Sequence, residues 1–390
     1  MTIKALSVFG TRPEAIKMAP VVRRLERDAR FESRVCVTGQ HRQMLDSALQ
    51  LFGIVPDADL NVMAPGQDLF DVTSRVLLGM REVLRRERPD VVLVHGDTTS
   101  CMAASIAAFY SEIPVAHVEA GLRSRDLRAP FPEEFNRLVA DRVTRWHFAP
   151  TALARTHLLA EQVDERGVHV TGNTVIDALL WMRERIATRT ARDYEPKFGP
   201  ELAALLEHWS GPIVLVTGHR RENFGAPFEA LCSAIRDSAA RHADWLFVYP
   251  VHLNPNVQRP VREILGSTPN VVLASPLDYE PFVWLMNRSD IVLTDSGGVQ
   301  EEAPSLGKPV LVMRDVTERP EALEAGTARL VGTDPRRIIG SLEELLGSRA
   351  AYDAMARARN PYGDGRAAER IVDVLAREFA AQRPALAASA

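Results

Sequence analysis

The sequence predicts an α/β protein made of two doubly wound domains that face each other across a cleft. Three observations predict it. Short apolar runs alternate with amphipathic helical stretches along most of the chain. The runs are apolar at nearly every position, as in parallel strands covered on both faces. The rhythm lapses once, between Thr190 and Gly211, and then restarts.

In the first half the strand candidates are Ala5–Phe9, Val35–Thr38, Val91–His95, Val115–Val118, His147–Ala149 and His169–Thr171. Between them Leu69, Val72, Val76, Met80, Val83 and Leu84 recur at helical spacing and mark one apolar stripe. The lapse is charged, carries Pro196 and Pro200 and ends in Ser-Gly-Pro. Beyond it the candidates are Ile213–Thr217, Leu246–Pro250, Val271–Leu273, Ile291–Thr294, Val310–Met313 and Ala328–Val331. Residues 1–172 are therefore expected to form the first domain and 173–364 the second. A closing helix over 365–380 is expected to pack back on the first domain.

Composition narrows the function. The formal net charge is −4 over 390 residues, so no strong field attracts nucleic acid or an anionic membrane. The local cluster Arg81, Arg85, Arg86 and Arg88 reads as a solvated helix face. Cys36, Cys101 and Cys232 lack metal-type spacing and read as reduced core thiols of a cytoplasmic protein. No apolar stretch is long enough to span a bilayer. The stretch from Ala380 to Ala390 is low in complexity and expected to fray.

The residues after each strand carry the chemistry. Gly10-Thr11-Arg12, Gly39-Gln40-His41, Gly96-Asp97-Thr98 and Glu119-Ala120-Gly121 follow strands of the first half. Gly218-His219-Arg220, His252, Asp295-Ser296-Gly297-Gly298 and Arg314-Asp315 follow strands of the second. Open parallel sheets bind ligands at these carboxyl ends. The run Asp295 to Glu302 suits either a phosphate held at a helix N-terminus, with Glu302 on ribose, or a plain cap with Ser296 as N-cap. Thr11 and Pro13 suit a helix start, but Arg12 opposes the helix dipole and points to an anion. Asp97, Glu119 and Glu133 come from separate segments, and partial burial would tune them for acid/base work. Capping is the plainer role for Asp97, and helix opening for Glu133. No dinucleotide, P-loop or zinc spacing is present, so no cofactor or metal is expected.

The stretches "GTRPEAIKMAP", "TGQH", "HGDTTS", "HVEAGLRS", "PFPEEFNR", "TGNTVID", "TGHRREN", "PVHLNPN", "TDSGGVQEEAPSLGKPVLVMRDVTERPEA" and "NPYGDG" occur in this order over nearly the whole chain. Together they resemble the non-hydrolysing UDP-N-acetylglucosamine 2-epimerases of bacteria. The resemblance implies two Rossmann-like domains in a glycosyltransferase-B-like fold, with UDP on the C-terminal domain and the sugar toward the N-terminal one. It implies that Arg12, Lys17, His219, Ser296, Gly297, Gly298, Glu302 and Arg319 hold the UDP part. Phe282 and the backbone at Leu277 would then flank uracil. It makes Asp97, Glu119, Glu133 and His219 the groups on which activity depends. It also implies a cytoplasmic homodimer that serves cell-surface polysaccharide synthesis, and a regulatory substrate site near Gln40 to Gln43 and Gly66-Gln67. The implied chemistry is elimination of UDP to 2-acetamidoglucal and re-addition on the opposite face of C2. A hydrolysing 2-epimerase, a glycosyltransferase of the same fold and a non-catalytic nucleotide-sugar sensor are the rival readings.

Overall fold

A computed structural model describes residues 2–40 and 42–387. The chain divides into two units, Met1–Ala178 with Tyr362–Ala390, and Leu179–Pro361.

The first unit runs β1 (Ile3–Phe9), α1 (Arg12–Glu26), β2 (Phe31–Val37), α2 (Arg42–Phe52), β3 (Ala58–Asp59), α3 (Leu69–Glu87), β4 (Val91–His95), α4 (Thr99–Tyr110), β5 (Val115–Val118), α5 (Glu133–Val143), β6 (Thr144–Ala149), α6 (Ala152–Ala160), β7 (Val168–Val170) and the start of α7 (Thr174–Arg185). Its sheet has the order β3-β2-β1-β4-β5-β6-β7 with every pair parallel. The chain winds outward from β1 to β3, then returns to β4 on the other side. The crevice of a doubly wound sheet lies at that switch, between the ends of β1 and β4. Leu6, Val8, Val92, Val94 and Val115 on the strands pack with Val72, Val76, Met80, Val83 and Leu84 of α3. Leu69 is 39% exposed and does not join the expected stripe, because it is the first residue of its helix.

The second unit begins in α7 and continues through α8 (Glu195–Phe198), α9 (Pro200–His208), β8 (Ile213–Thr217), α10 (Ala226–Arg241), β9 (Leu246–Pro250), α11 (Pro255–Leu265), β10 (Val271–Ala274), α12 (Tyr279–Arg288), β11 (Ile291–Thr294), α13 (Gly297–Glu302), β12 (Val310–Val312), α14 (Pro320–Glu324), β13 (Ala328–Leu330), α15 (Pro335–Gly347) and α16 (Arg349–Ala356). Its sheet is parallel throughout, in the order β10-β9-β8-β11-β12-β13. The switch here falls between β8 and β11. Phe228, Leu231, Ile235, Phe247 and Leu342 belong to the core on one face of this sheet.

The last helix, α17 (Ala367–Ala387), belongs to the first unit. Asp177 on α7 accepts the backbone N–H groups of Ala367 and Ala368 at 3.1 and 2.8 Å and so caps its start. The helix continues to Ala387 instead of stopping near 380. The expectation of fraying for Ala388 to Ala390 lies outside the described residues. The division between the units falls inside α7, after Ala178, and the expected position was 172. Asn173 is held in the first unit, where its N–H donates to Tyr362 O at 2.7 Å. The stretch where the strand rhythm lapses is helical, with Tyr194 and Phe198 packed on Trp284. Arg81, Arg85, Arg86 and Arg88 are exposed, and all three cysteines are buried and free. Among the described residues no helix is long and apolar enough to cross a membrane.

Gly121, after β5, shows how closely backbone meets backbone at a strand end. Its φ is +87°, and a Cβ there would sit 2.4 Å from the carbonyl oxygen of Ala154. Gly340 is exposed in α15, with open space around it. Gly121→Ala should therefore destabilise its unit by about 1–3 kcal/mol through overpacking and backbone strain. Gly340→Ala should stabilise its own by about 0.5–1 kcal/mol through helix propensity. Thermal melts of the two variants should shift in opposite directions; equal shifts would contradict the packing described for Gly121.

Candidate active site

In the first unit the candidate residues gather at the ends of β1, β4 and β5. Arg12 opens α1, and its guanidinium has no hydrogen bond or ion pair among the described residues. Two residues on, Glu14 is buried. Its carboxylate accepts the N–H groups of Gly10 and Thr11 at 3.0 and 2.8 Å and the hydroxyl of Thr98 at 2.7 Å. One side chain thus ties the loop after β1 to the loop after β4. Burial pushes the Glu14 carboxyl up to about 7, against the pull of those hydrogen bonds. Sequence reading assigned Glu14 no role, since an acid in a first helical turn looks like a cap.

Asp97 follows β4 and is partly exposed. Its Oδ2 accepts Arg137 Nε and Nη2 at 3.0 and 2.7 Å, and its carbonyl accepts Asn136 Nδ2 at 2.9 Å. Both partners stand on α5, the helix that Glu133 opens. Glu133 Oε2 is buried and accepts no hydrogen bond from the described residues. The neighbouring Glu134 is structural: it accepts Ser124 N, Arg125 N and Arg137 Nη1. Burial raises its pKa, but those donors outweigh it and hold the carboxyl below the usual range.

Glu119 follows β5 at a φ of +65°, a left-handed conformation that is costly for a residue with a side chain. Its Oε2 accepts Lys17 Nζ at 2.5 Å and Asn173 Nδ2 at 2.8 Å. Lys17 is thus engaged with Glu119 in this unit. His95 Nε2, buried without a hydrogen-bond partner, lies 3.8 Å from the same oxygen. Burial lowers the His95 pKa to about 3, so the ring is neutral. A Cβ on Gly96 would lie 3.9 Å from Glu119 Oε1, so this carboxylate lies against the backbone next to Asp97. The unit therefore brings Asp97, Glu119 and the α5 turn that starts with Glu133 to neighbouring strand ends.

The second unit assembles a different set around β8 and β11. The Oδ2 atom of buried Asp295 accepts both His219 N and Arg220 N at 2.8 Å, which closes the switch point. Its Oδ1 lies 3.5 Å from His219 Nδ1. The His219 ring stacks on His252 with centroids 5.3 Å apart. Burial lowers the His219 pKa, Asp295 opposes that, and His252 and Arg220 reinforce it. Ser296 stands at the N-cap of α13, yet its side chain makes no capping bond, so the plain-cap reading does not describe it. A Cβ added to Gly297 would lie 3.7 Å from Arg319 Nη2 and 3.8 Å from Arg220 Nη2. Two guanidiniums thus flank this helix start, and glycine keeps the space between them open. Arg319 is anchored by Glu301, while Arg220 has no hydrogen bond or ion pair from its side chain among the described residues. Arg220 is the member that sequence reading did not assign, although it stands in a strand-end triplet already noted. Glu302 Oε2 accepts the Tyr279 hydroxyl at 3.0 Å, and a Cβ on Gly298 would lie 3.8 Å from Glu302 Oε1. Leu277 and Phe282 are partly exposed, in the loop before α12 and in its first turns.

Comparison with known proteins identifies the family. The family model described as UDP-N-acetylglucosamine 2-epimerase matches residues 23–376. The chain belongs to the UDP-N-acetylglucosamine 2-epimerase family. It is 56% identical over 375 residues to the UDP-N-acetylglucosamine 2-epimerase of Escherichia coli K12, which covers 96% of this chain and 98% of that one. The Salmonella typhimurium protein of the same name is also 56% identical, with the same coverage. Among solved structures, the UDP-GlcNAc 2-epimerase from Neisseria meningitidis bound to UDP-GlcNAc superposes with a TM-score of 0.87 at 48% identity, over 96% of this chain and 99% of that one. The two sheets are thus the Rossmann-like domains of this family.

Glu14 gives a pH test with a fixed sign. Its folded pKa, about 7, lies above the ordinary 4.5, so the folded unit binds the proton more tightly than the unfolded chain does. Its contribution is fully present below pH 4.5, is lost as the pH rises to about 7, and is level above that. Glu14→Gln retains acceptor and donor groups but does not titrate. Urea midpoints of the variant should therefore rise relative to wild type across that window. Parallel curves for the two proteins would show that Glu14 does not titrate there.

Proposed function

We propose that the protein interconverts UDP-N-acetylglucosamine and UDP-N-acetylmannosamine by reversible elimination and re-addition of UDP, with no net hydrolysis. The observation that carries this reading is the set of acids at the strand ends of the first unit. Asp97 and Glu119 are held by Arg137 and Lys17, and Glu133 has an oxygen that nothing else occupies. Inversion at C2 needs acid/base groups on both faces of that carbon. One carboxylate removes the C2 proton as the C1–O bond breaks, and the C2–H bonding pair becomes the C1–C2 double bond of 2-acetamidoglucal. UDP leaves with the bonding pair of the C1–O bond. In the return step UDP adds to C1, and another acid delivers a proton to the opposite face of C2.

The departing diphosphate requires cations that do not have to reorganise. The start of α13, at Ser296, Gly297 and Gly298, is flanked by Arg220 and Arg319 and supplies them, with His219 and its Asp295 support beside it. Arg12, whose guanidinium has no hydrogen bond or ion pair among the described residues, keeps its expected role toward the UDP part. Glu302 takes the ribose hydroxyls, and Phe282 and Leu277 take the uracil. Lys17 acts through Glu119. Identity of 56% over 96% of the chain to an enzyme named for this activity supports the reading.

Epimerisation in deuterated water should place deuterium at C2 of the product and release no free N-acetylmannosamine. Product that keeps its original C2 hydrogen would exclude elimination, and accumulation of free sugar with UDP would assign the chain to the hydrolysing type. Asp97→Asn, Glu119→Gln and Glu133→Gln should each lower kcat by about 10²–10⁴. UDP affinity, measured by calorimetry, should hardly move, because the UDP groups are assigned mainly to the other unit. A variant with wild-type kcat would take that acid out of the mechanism.

A further inference from the structure

Beneath the three acids lies a buried ionic group that the mechanism above leaves unused. His117, in the middle of β5, is fully buried. Its Nδ1 lies 2.6 Å from Asp141 Oδ1, and its Nε2 lies 2.7 Å from the carbonyl oxygen of Gly96. A peptide carbonyl can only accept a hydrogen bond, and so can an ionised carboxylate. A neutral imidazole has one N–H and cannot donate to both. Both nitrogens must therefore carry protons, which makes the ring an imidazolium.

The surroundings agree with that charge. Asp141, on α5, is buried, and its other oxygen accepts Arg123 Nη2 at 2.6 Å. Arg123 also donates to Glu161 through Nε and to the Leu122 carbonyl through Nη1. From β6, His147 donates to the Asp141 carbonyl at 3.0 Å. From α4, Cys101 Sγ lies 3.8 Å from His117 Nε2, and from β4 the neutral ring of His95 completes the titratable groups nearby. Burial alone would strip the proton from His117, but the Asp141 carboxylate outweighs it and raises the pKa well above the ordinary value. Burial likewise opposes ionisation of Asp141, and His117 and Arg123 overcome it.

This group touches every segment that carries a candidate acid. Gly96 precedes Asp97, Glu119 follows His117 by two residues, Arg123 stands in the loop after Glu119, and Asp141 is on the helix that Glu133 opens. We propose that His117 is a positioning residue, a permanently doubly protonated imidazole that pins the Gly96 carbonyl and thereby sets Asp97 relative to Glu119 and α5. The kinetic part of this proposal rests on the epimerase reading; the protonation part does not.

The test uses the full chain labelled with ¹⁵N-histidine and free of ligand. At about pH 8, where an ordinary imidazole is neutral, one histidine should show two protonated ring nitrogens, and the signal should vanish in a His117 variant. A single protonated nitrogen on His117 would overturn the proposal. His117→Asn can reach Asp141 but not Gly96, and should lower kcat by about 10²-fold, the cost of a misplaced reacting group, with KM nearly unchanged. His117→Gln can reach Gly96 and should recover at least about 10-fold of that loss. Equal kcat in the two variants, or wild-type kcat in His117→Asn, would reduce His117 to a packing residue. If neither variant folds, Asp141→Asn retains the geometry, with its amide donating to Nδ1 and its oxygen accepting from Arg123. There His117 should show one protonated nitrogen at about pH 8, and a ring still doubly protonated would overturn the pairing. A wild-type chain that does not epimerise would count against the proposed function, whereas the nitrogen signature counts only for or against His117.

Discussion

A parallel sheet ends all of its strands on one edge, and the chemistry of this protein depends on that constraint. In the first unit β4 and β5 pair in register from Val92 with Val115 to His95 with Val118, and the next N–H, that of Gly96, still donates to Val118 O. The two chains therefore leave the sheet side by side, and the residues that follow, Asp97 and Glu119, emerge as neighbours. In the second unit β8 and β11 pair from Ile291 with Val214 to Thr294 with Thr217, and His219 and Asp295 follow. Register fixes these placements before any side chain selects a partner.

The polar groups at the two edges are managed differently. In the first unit the carboxylates are matched with cations and amides, and the cost of burying charge is offset pair by pair. Glu133 keeps one oxygen outside that arrangement. In the second unit the Arg220 side chain has no hydrogen bond or ion pair among the described residues, while Arg319 is fixed by Glu301. One edge thus carries carboxylates held by cations, and the other a carboxylate, Asp295, that holds backbone N–H groups beside two guanidiniums.

Most strands were legible in the sequence because a strand buried on both faces is a continuous apolar run. Val91–His95, Val115–Val118, Ile213–Thr217, Leu246–Pro250 and Ile291–Thr294 match their expected limits. β3 was not legible: two residues, Ala58 and Asp59, at the sheet edge carry no periodicity. The candidate acids were legible by position, since each follows a strand or opens a helix. Their partners were not. Glu14 meets Thr98 from 84 residues away, and Asn173 meets Glu119 from 54. His117 and Asp141 sit inside a strand and a helix, where a polar residue reads as an imperfection of the core until the tertiary structure supplies the second member of the pair.

The return of α17 to the first unit bears on how the chain is made. Ile371, Val372 and Leu375 of that helix are fully buried, and its start is capped from α7 by Asp177. During synthesis the unit that begins first gains its last helix only after the second unit has been made. The second unit, Leu179–Pro361, is continuous in sequence and needs nothing from the C-terminus to close its core. Domains usually fold as units in N-to-C order as they emerge. Here the seven-stranded sheet cannot receive α17 until the whole of the second unit has been made.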